Sequence, residues 1–215
     1  MGTWVWVQLL TELIPDEKFR RLYYFLCMRK IILLLLSITC ISQAALGSDK
    51  KNPFFGDRQN QVALQLGTGV DSGFLIPPPL RYVPFSIVQL QYSQATTFFK
   101  LPARQSLNIA HTIGFDRKYG WDWNEYSIPM AFVSGDVVLL SGERWYFGTG
   151  FGAGMQAKEN ARIGSKLLFQ FKMLFGYRIT DSINGELFML HISNGNTAPA
   201  NNSYAFYGLG LLYNF

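Results

Sequence analysis

From Ser165 to Tyr177 the chain alternates with a period of two: Ser165, Leu167, Phe169, Phe171, Met173, Phe175 and Tyr177 fall on one side, and Lys166, Leu168, Gln170, Lys172, Leu174 and Gly176 on the other. A helix would scatter these residues around its circumference, whereas a strand sorts them onto two faces. One face is almost wholly large and apolar and the other carries two lysines, a glutamine and a glycine, which is the lipid-outside, lumen-inside pattern of a transmembrane strand. The same period recurs over 60–70, 85–95, 105–115, 124–133, 144–155, 183–193 and 203–215. Together these segments predict an all-β fold, an eight-stranded antiparallel transmembrane β-barrel of the outer membrane. Such a small barrel has an interior just wide enough for side chains to fill, so no open pore is expected.

Within the segment 144–155, Trp145, Phe147, Thr149 and Phe151 alternate with Tyr146, Gly148, Gly150, Gly152 and Gly154. Glycines repeated on one face suit a crowded interior where neighbouring side chains leave no room for a Cβ. The glycines of "GTGFGAG" superficially resemble a phosphate loop, but no Lys-Ser/Thr follows them. Pro129 cannot donate to a ladder, so the segment 124–133 is expected to bulge or kink there.

The first 47 residues read differently. "MRKIILLLLSITCISQAALG", Met28 to Gly47, has a basic opening, an apolar run and small residues where a peptidase cuts, after Ala44 or after Gly47; this predicts a secretory signal peptide over 28–47. Residues 1–27 then read as a mis-assigned upstream extension with Met28 as initiator, and 48–215 as the barrel. The competing reading keeps the apolar run as a membrane anchor. No later segment approaches the ~20 consecutive apolar residues of a spanning helix, and a membrane protein without one must be a closed barrel. Cleavage would remove both cysteines, Cys27 and Cys40, leaving a barrel with no disulfide framework.

The net charge is +5, but from Ala45 onward 14 Lys and Arg face 11 Asp and Glu, a net of +3. Much of the basic excess belongs to the leader, and no nucleic-acid partner is expected. Arg81, Arg117, Lys118, Lys158 and Arg162 are placed by the strand pattern in or beside extracellular loops, where they could meet lipid A phosphates; solvated loop charge is the plainer alternative.

One motif carries chemistry. The chain ends in "GLLYNF", with Tyr213 and Phe215 on one face, as suits an aromatic girdle. If that end is periplasmic, the last strand runs downward and the seventh upward, so "HISNG" lies at the outer rim, at the level of the outer leaflet. His191 and Ser193 share a face with Leu187 and Met189, and Asn184 and Glu186 share the other, so the pair points to lipid. Polar groups there are costly and tend to be functional. A neutral imidazole beside a serine can take its proton and make it a nucleophile for an ester. Backbone and amide N–H groups of Asn194, Gly195 and Asn201 are candidates to hold the resulting oxyanion. His111, among apolar neighbours in "LNIAHTIGF", reads as an interfacial or packed histidine.

"HISNGNTAPANNSYAFYGLGLLYNF" resembles the outer-membrane lipid A 3-O-deacylases, the acyloxyacyl-hydrolase-like proteins, whose signature is His-x-Ser-Asn near the top of the seventh strand of an eight-stranded barrel, followed by an Asn-rich loop and an aromatic end. The resemblance implies hydrolysis of an ester-linked 3-hydroxyacyl chain of lipid A, in lipopolysaccharide, with His191 as base, Ser193 as nucleophile, and Asn194 and Asn201 near the oxyanion or the histidine. It implies no metal and no cofactor, and it leaves room for a homodimer. The family's catalytic acid lies about twelve residues after the serine; here that count reaches Ala205, and no Asp or Glu follows Glu186. Asn201 or Asn202 could orient the imidazole instead, as in Cys-His-Asn enzymes; Glu186 would serve only from the other face; or the pair acts alone. A non-enzymatic adhesion or scaffold barrel and a phospholipid esterase are the alternative functions.

Overall fold

The computed structural model describes residues 51–71, 81–114 and 127–215; the expected signal peptide, its cleavage sites and the upstream extension lie outside the described residues, as do Arg117 and Lys118. Eight strands follow one another: β1 Asn60–Asp71, β2 Arg81–Phe98, β3 Leu101–Gly114, β4 Ile128–Ser141, β5 Trp145–Gln156, β6 Leu167–Arg178, β7 Ile183–Ser193 and β8 Tyr204–Asn214. Each is antiparallel to the next, and β1 pairs with β8, so the sheet closes into a barrel with no free edge. Beyond the ladder, the Asn60 and Phe215 backbones exchange N–H···O bonds of 3.2 and 2.9 Å, which tie the last residue to the start of β1.

The period-two reading holds strand by strand. On β6, Leu167, Phe169, Phe175 and Tyr177 are exposed, whereas Leu168, Gln170, Lys172, Leu174 and Gly176 are buried. Val62, Leu64, Leu66, Leu107, Ile109, Leu209 and Leu211 continue the exposed apolar band around the barrel, which faces hydrocarbon rather than water. The fourth strand departs from expectation. It runs from Ile128 to Ser141 rather than over 124–133, because Ser134, Gly135 and Asp136, which look like a turn in sequence, continue the strand with Ser134 and Asp136 pointing into the lumen. Pro129 sits at its upper end without a bulge; the register shifts instead between Val138 and Leu140, where Val138 and Leu139 are both buried.

The lumen has two storeys. Towards the outer end, Phe85, Ile87, Ile128, Met130, Phe132, Leu168, Ile192, Tyr204 and Phe206 form an apolar core, with Phe85 edge-on to Tyr204 and Phe206 at 5.4 and 5.6 Å. Below it lies a charged cluster. The Arg104 guanidinium donates to both Glu186 carboxylate oxygens at 2.7 and 3.0 Å and to Asp136 at 2.7 Å; the Tyr146 hydroxyl donates to Glu186 at 2.9 Å, and Lys172 Nζ lies 3.9 Å from the same carboxylate. Two cations and two carboxylates thus balance one another, as buried charges must. The segment before β1 closes the periplasmic end: the Phe54 carbonyl accepts N–H bonds from Gln61, Asn184 and Asn214 at 3.1, 2.7 and 3.2 Å, and Arg104 lies 4.3 Å above its ring.

The glycine face of β5 follows from this crowding. A Cβ on Gly150 would run into the Asp136 carboxylate, and one on Gly154 into the Ala131 carbonyl. Across the barrel wall, a Cβ on Gly176 of β6 would strike the Tyr146 ring. Small residues are therefore dictated by the neighbours' bulk, as the alternation predicts.

Candidate active site at the outer rim

Strand β7 rises from the periplasmic turn at 179–182 and ends at Ser193. Its buried residues are Asn184, Glu186, Phe188, Leu190 and Ile192, so His191 and Ser193 stand on the outward face, half-buried, in line with Leu187 and Met189. Phe188, Leu190 and Ile192 are apolar because they fill the upper lumen, not because the face is reversed. Alternate Cα atoms along a strand are about 6.7 Å apart, a span that an imidazole reaching toward a serine hydroxyl covers. Glu186 points inward into the Arg104 cluster, so it lies on the wrong side of the wall to serve His191.

The ladder fixes what flanks the pair. On β6, Phe169 lies opposite Ser193 and Phe171 opposite His191, and Phe171 packs edge-on to Phe151 at 4.8 Å. On β8, Ala205 lies opposite His191. Directly opposed residues of antiparallel strands hold their Cβ atoms about 4.5–5.5 Å apart. The position reached by counting twelve residues from Ser193 is therefore the position from which an acid would touch the imidazole, and here it holds a methyl group.

After Ser193 the chain turns through two left-handed residues, Gly195 at φ 61° and Asn196 at φ 64°. Gly195 is required there twice over: it supplies the positive φ cheaply, and a Cβ would press on Phe169 at 3.0 Å. The turn brings the Gly195 N–H to 3.4 Å from Ser193 Oγ, placing a backbone donor beside the oxygen that would attack. Asn194 is engaged otherwise. Fully buried, it donates from its amide to the Ala198 and Ala200 carbonyls at 3.4 and 3.0 Å, accepts from the Asn196 N–H at 2.9 Å, and gives its backbone N–H to Asn201 Oδ1 at 3.1 Å. Asn201 also donates to Asn196 Oδ1 at 2.8 Å. Of the candidate oxyanion donors, Asn194 and Asn201 are thus spent on holding the loop, and Gly195 is left facing the serine. Asn202 is exposed, and its backbone N–H donates to the Arg162 carbonyl at 2.8 Å.

The loop cations separate. Lys158 is exposed, but Arg162, expected at a loop edge, is buried: its guanidinium lies over the Phe85 and Tyr204 rings at 5.0 and 5.5 Å and donates to the Ser203 carbonyl at 2.7 Å. His111 is half-buried on the outward face near the top of β3, with Nε2 2.9 Å from Ser127 Oγ. Among the described residues no group of three or more His, Cys, Asp and Glu is placed to hold a metal ion.

A closed eight-stranded antiparallel barrel with an apolar outer band defines a small outer-membrane barrel. The family described as lipid A 3-O-deacylase (PagL) matches over residues 89–214, and the chain belongs to that family. Among solved structures, the crystal structure of the outer membrane enzyme PagL shares the fold at 12% identity and a TM-score of 0.50, covering 72% of this chain and 99% of that one. Neisserial surface protein A matches at 9% identity and 0.47, covering 73% and 97%, and the Yersinia pestis outer membrane protein Ail at 12% and 0.45, covering 74% and 100%. No curated protein matches the sequence.

Proposed function

We propose that this barrel hydrolyses an ester-linked 3-hydroxyacyl chain of lipid A in the outer leaflet, with Ser193 as nucleophile and His191 as general base. On this reading Met28 to Gly47 is the export signal and 48–215 the mature barrel. The observation that carries the proposal is the outward placement of His191 and Ser193 at the upper end of β7, in a chain of the deacylase family. Lipid A would lie against the wall with its ester at the height of the pair and its chains along the apolar band, beside Phe169 and Phe171.

His191 takes the Ser193 proton as Oγ attacks the ester carbonyl. The tetrahedral oxyanion is stabilised by the Gly195 N–H. On collapse the C–O bond to the sugar breaks, His191 returns the proton to the leaving alkoxide, and an acyl-serine remains. Water, deprotonated by His191, then attacks that ester; the 3-hydroxy fatty acid departs and Ser193 recovers its proton. With Ala205 beside the ring, the imidazolium forms without a carboxylate, so slow turnover is expected.

Mass spectrometry of lipid A from cells producing the wild type and Ser193→Ala tests this: the wild type removes one hydroxyacyl chain and the variant none. Identical lipid A in both, at equal amounts of folded barrel, refutes it. The Ala205 methyl favours a second reading, a barrel retained as a non-enzymatic scaffold after loss of the acid; that reading gains if only Ala205→Glu releases a fatty acid.

A further inference from the structure

The turn between β5 and β6 does more than join two strands. Asn160, almost fully buried, accepts the backbone N–H groups of Arg162 and Ile163 at its Oδ1, both at 2.8 Å, and donates to the Tyr204 hydroxyl at 3.1 Å. The chain that it folds runs antiparallel beside the loop after Ser193. Ile163 and Asn201 form an isolated bridge; the Gly164 N–H donates to the Ala200 carbonyl at 2.9 Å and the Asn202 N–H to the Arg162 carbonyl at 2.8 Å. Arg162 Nε reaches the Ser203 carbonyl at 2.7 Å.

Two residues so held, Ala200 and Asn201, touch the proposed site at one remove. The Ala200 carbonyl is also an acceptor for the Asn194 amide, and Asn201 Oδ1 accepts the Asn194 backbone N–H. Asn194 lies between Ser193 and Gly195, the residue whose N–H faces Oγ. At the other side, Ser203 and Tyr204 precede Ala205, the residue opposite His191. A buried guanidinium is an expensive way to fill space, but two aromatic faces and a carbonyl suit it, and its planar fork fixes a direction that an apolar side chain cannot.

We propose that the β5–β6 turn is the clamp that sets the Ser193 loop, with Arg162 and Asn160 as positioning residues for the ester hydrolysis. The assignment rests on the reading of Ser193 as nucleophile. It does not depend on the lumenal charge cluster, which lies below.

The test is made on the full chain with Cys27→Ser and Cys40→Ser, carrying a nitroxide on Ala198→Cys, and compares Arg162→Met, Arg162→Lys and Asn160→Ala. The heat-dependent gel shift of the folded barrel serves as control in each. Arg162→Met keeps the stem packed between the rings and loses the donor; it is expected to raise the mobile fraction of the nitroxide at least about twofold and to lower kcat for 3-hydroxy fatty acid release by about 10- to 100-fold, the scale of an ångström-sized misplacement, with KM within about twofold. Arg162→Lys, which keeps a cation but not the planar fork, restores only part of both, and Asn160→Ala reproduces the loss. An immobile label and unchanged kcat in Arg162→Met and Asn160→Ala, with both barrels folded, would overturn the clamp. A wild type that releases no fatty acid while its label is still mobilised by Arg162→Met would sink the deacylase reading and leave the clamp standing.

Discussion

Replacing Glu186 by alanine removes the hub of the lumenal cluster. Glu186 is 2% exposed and accepts two bonds from Arg104 and one from Tyr146, with Lys172 3.9 Å away. Without it, Arg104 retains the Asp136 bond of 2.7 Å and the Gln61 bond of 3.0 Å, but the cluster holds two cations, Arg104 and Lys172, against one carboxylate. Breaking a buried pair by deleting one partner costs about 3–5 kcal/mol, most of it the penalty of a charge left uncompensated. Glu186→Gln keeps the shape and one acceptor and should cost less. Urea unfolding of the barrel in phospholipid vesicles, followed by tryptophan fluorescence, measures both. The double variant Arg104→Leu/Glu186→Leu should recover part of the loss, because it removes both charges together. Glu186→Gln should also keep its hydrolytic rate per folded molecule, since Glu186 faces the lumen and not His191. A Glu186→Ala cost below about 1 kcal/mol would mean that the cluster is not buried from water, and the reasoning behind the magnitude would fail. Loss of hydrolysis in Glu186→Gln would contradict the assignment of the two faces of β7.

Three further outcomes are expected. Ala205→Glu sets a carboxylate against His191 across the β7–β8 ladder and should raise kcat at least about tenfold, part of the roughly 10⁴-fold that an orienting carboxylate is worth in serine proteases; fatty-acid release by the purified barrel reads it. Gly150→Ala drives a methyl into the Asp136 carboxylate and should cost about 1–3 kcal/mol of stability by overpacking, measured in the same unfolding assay. Gly195→Ala adds strain at φ 61° and a 3.0 Å contact with Phe169; it should lower kcat while the barrel ladder, and with it the heat-dependent gel shift, stays intact.

The strands were legible because a barrel wall has only two environments, and a period of two sorts residues between them. The outward placement of His191 and Ser193 followed from parity and the aromatic end alone. Strand β4 was misplaced for a reason intrinsic to this fold: Ser134 and Asp136 are polar yet buried, and only their partners on the neighbouring strand β3, Asn108 and Arg104, explain why. Parity assigns a side chain to the lumen but not to its partner, so the joining of Arg104 to Glu186, 82 residues apart, was not legible. The roles of the asparagines were hidden similarly. "NGNTAPANN" reads as a polar loop, and nothing in its composition says that Asn194 and Asn201 bind each other while Gly195 turns its N–H to the serine. Arg162 looked like a surface cation because its cover, Phe85 and Tyr204, comes from distant strands.

The central claim is that Ser193 is a nucleophile activated by His191. An alkyl fluorophosphonate phosphonylates an activated serine with loss of fluoride, and tandem mass spectrometry of the folded barrel after treatment locates the adduct. The account predicts modification of Ser193 in the wild type and its disappearance in His191→Ala with the fold retained. An unmodified Ser193, equal modification in His191→Ala, or an adduct on Ser127 beside His111 instead, would contradict it.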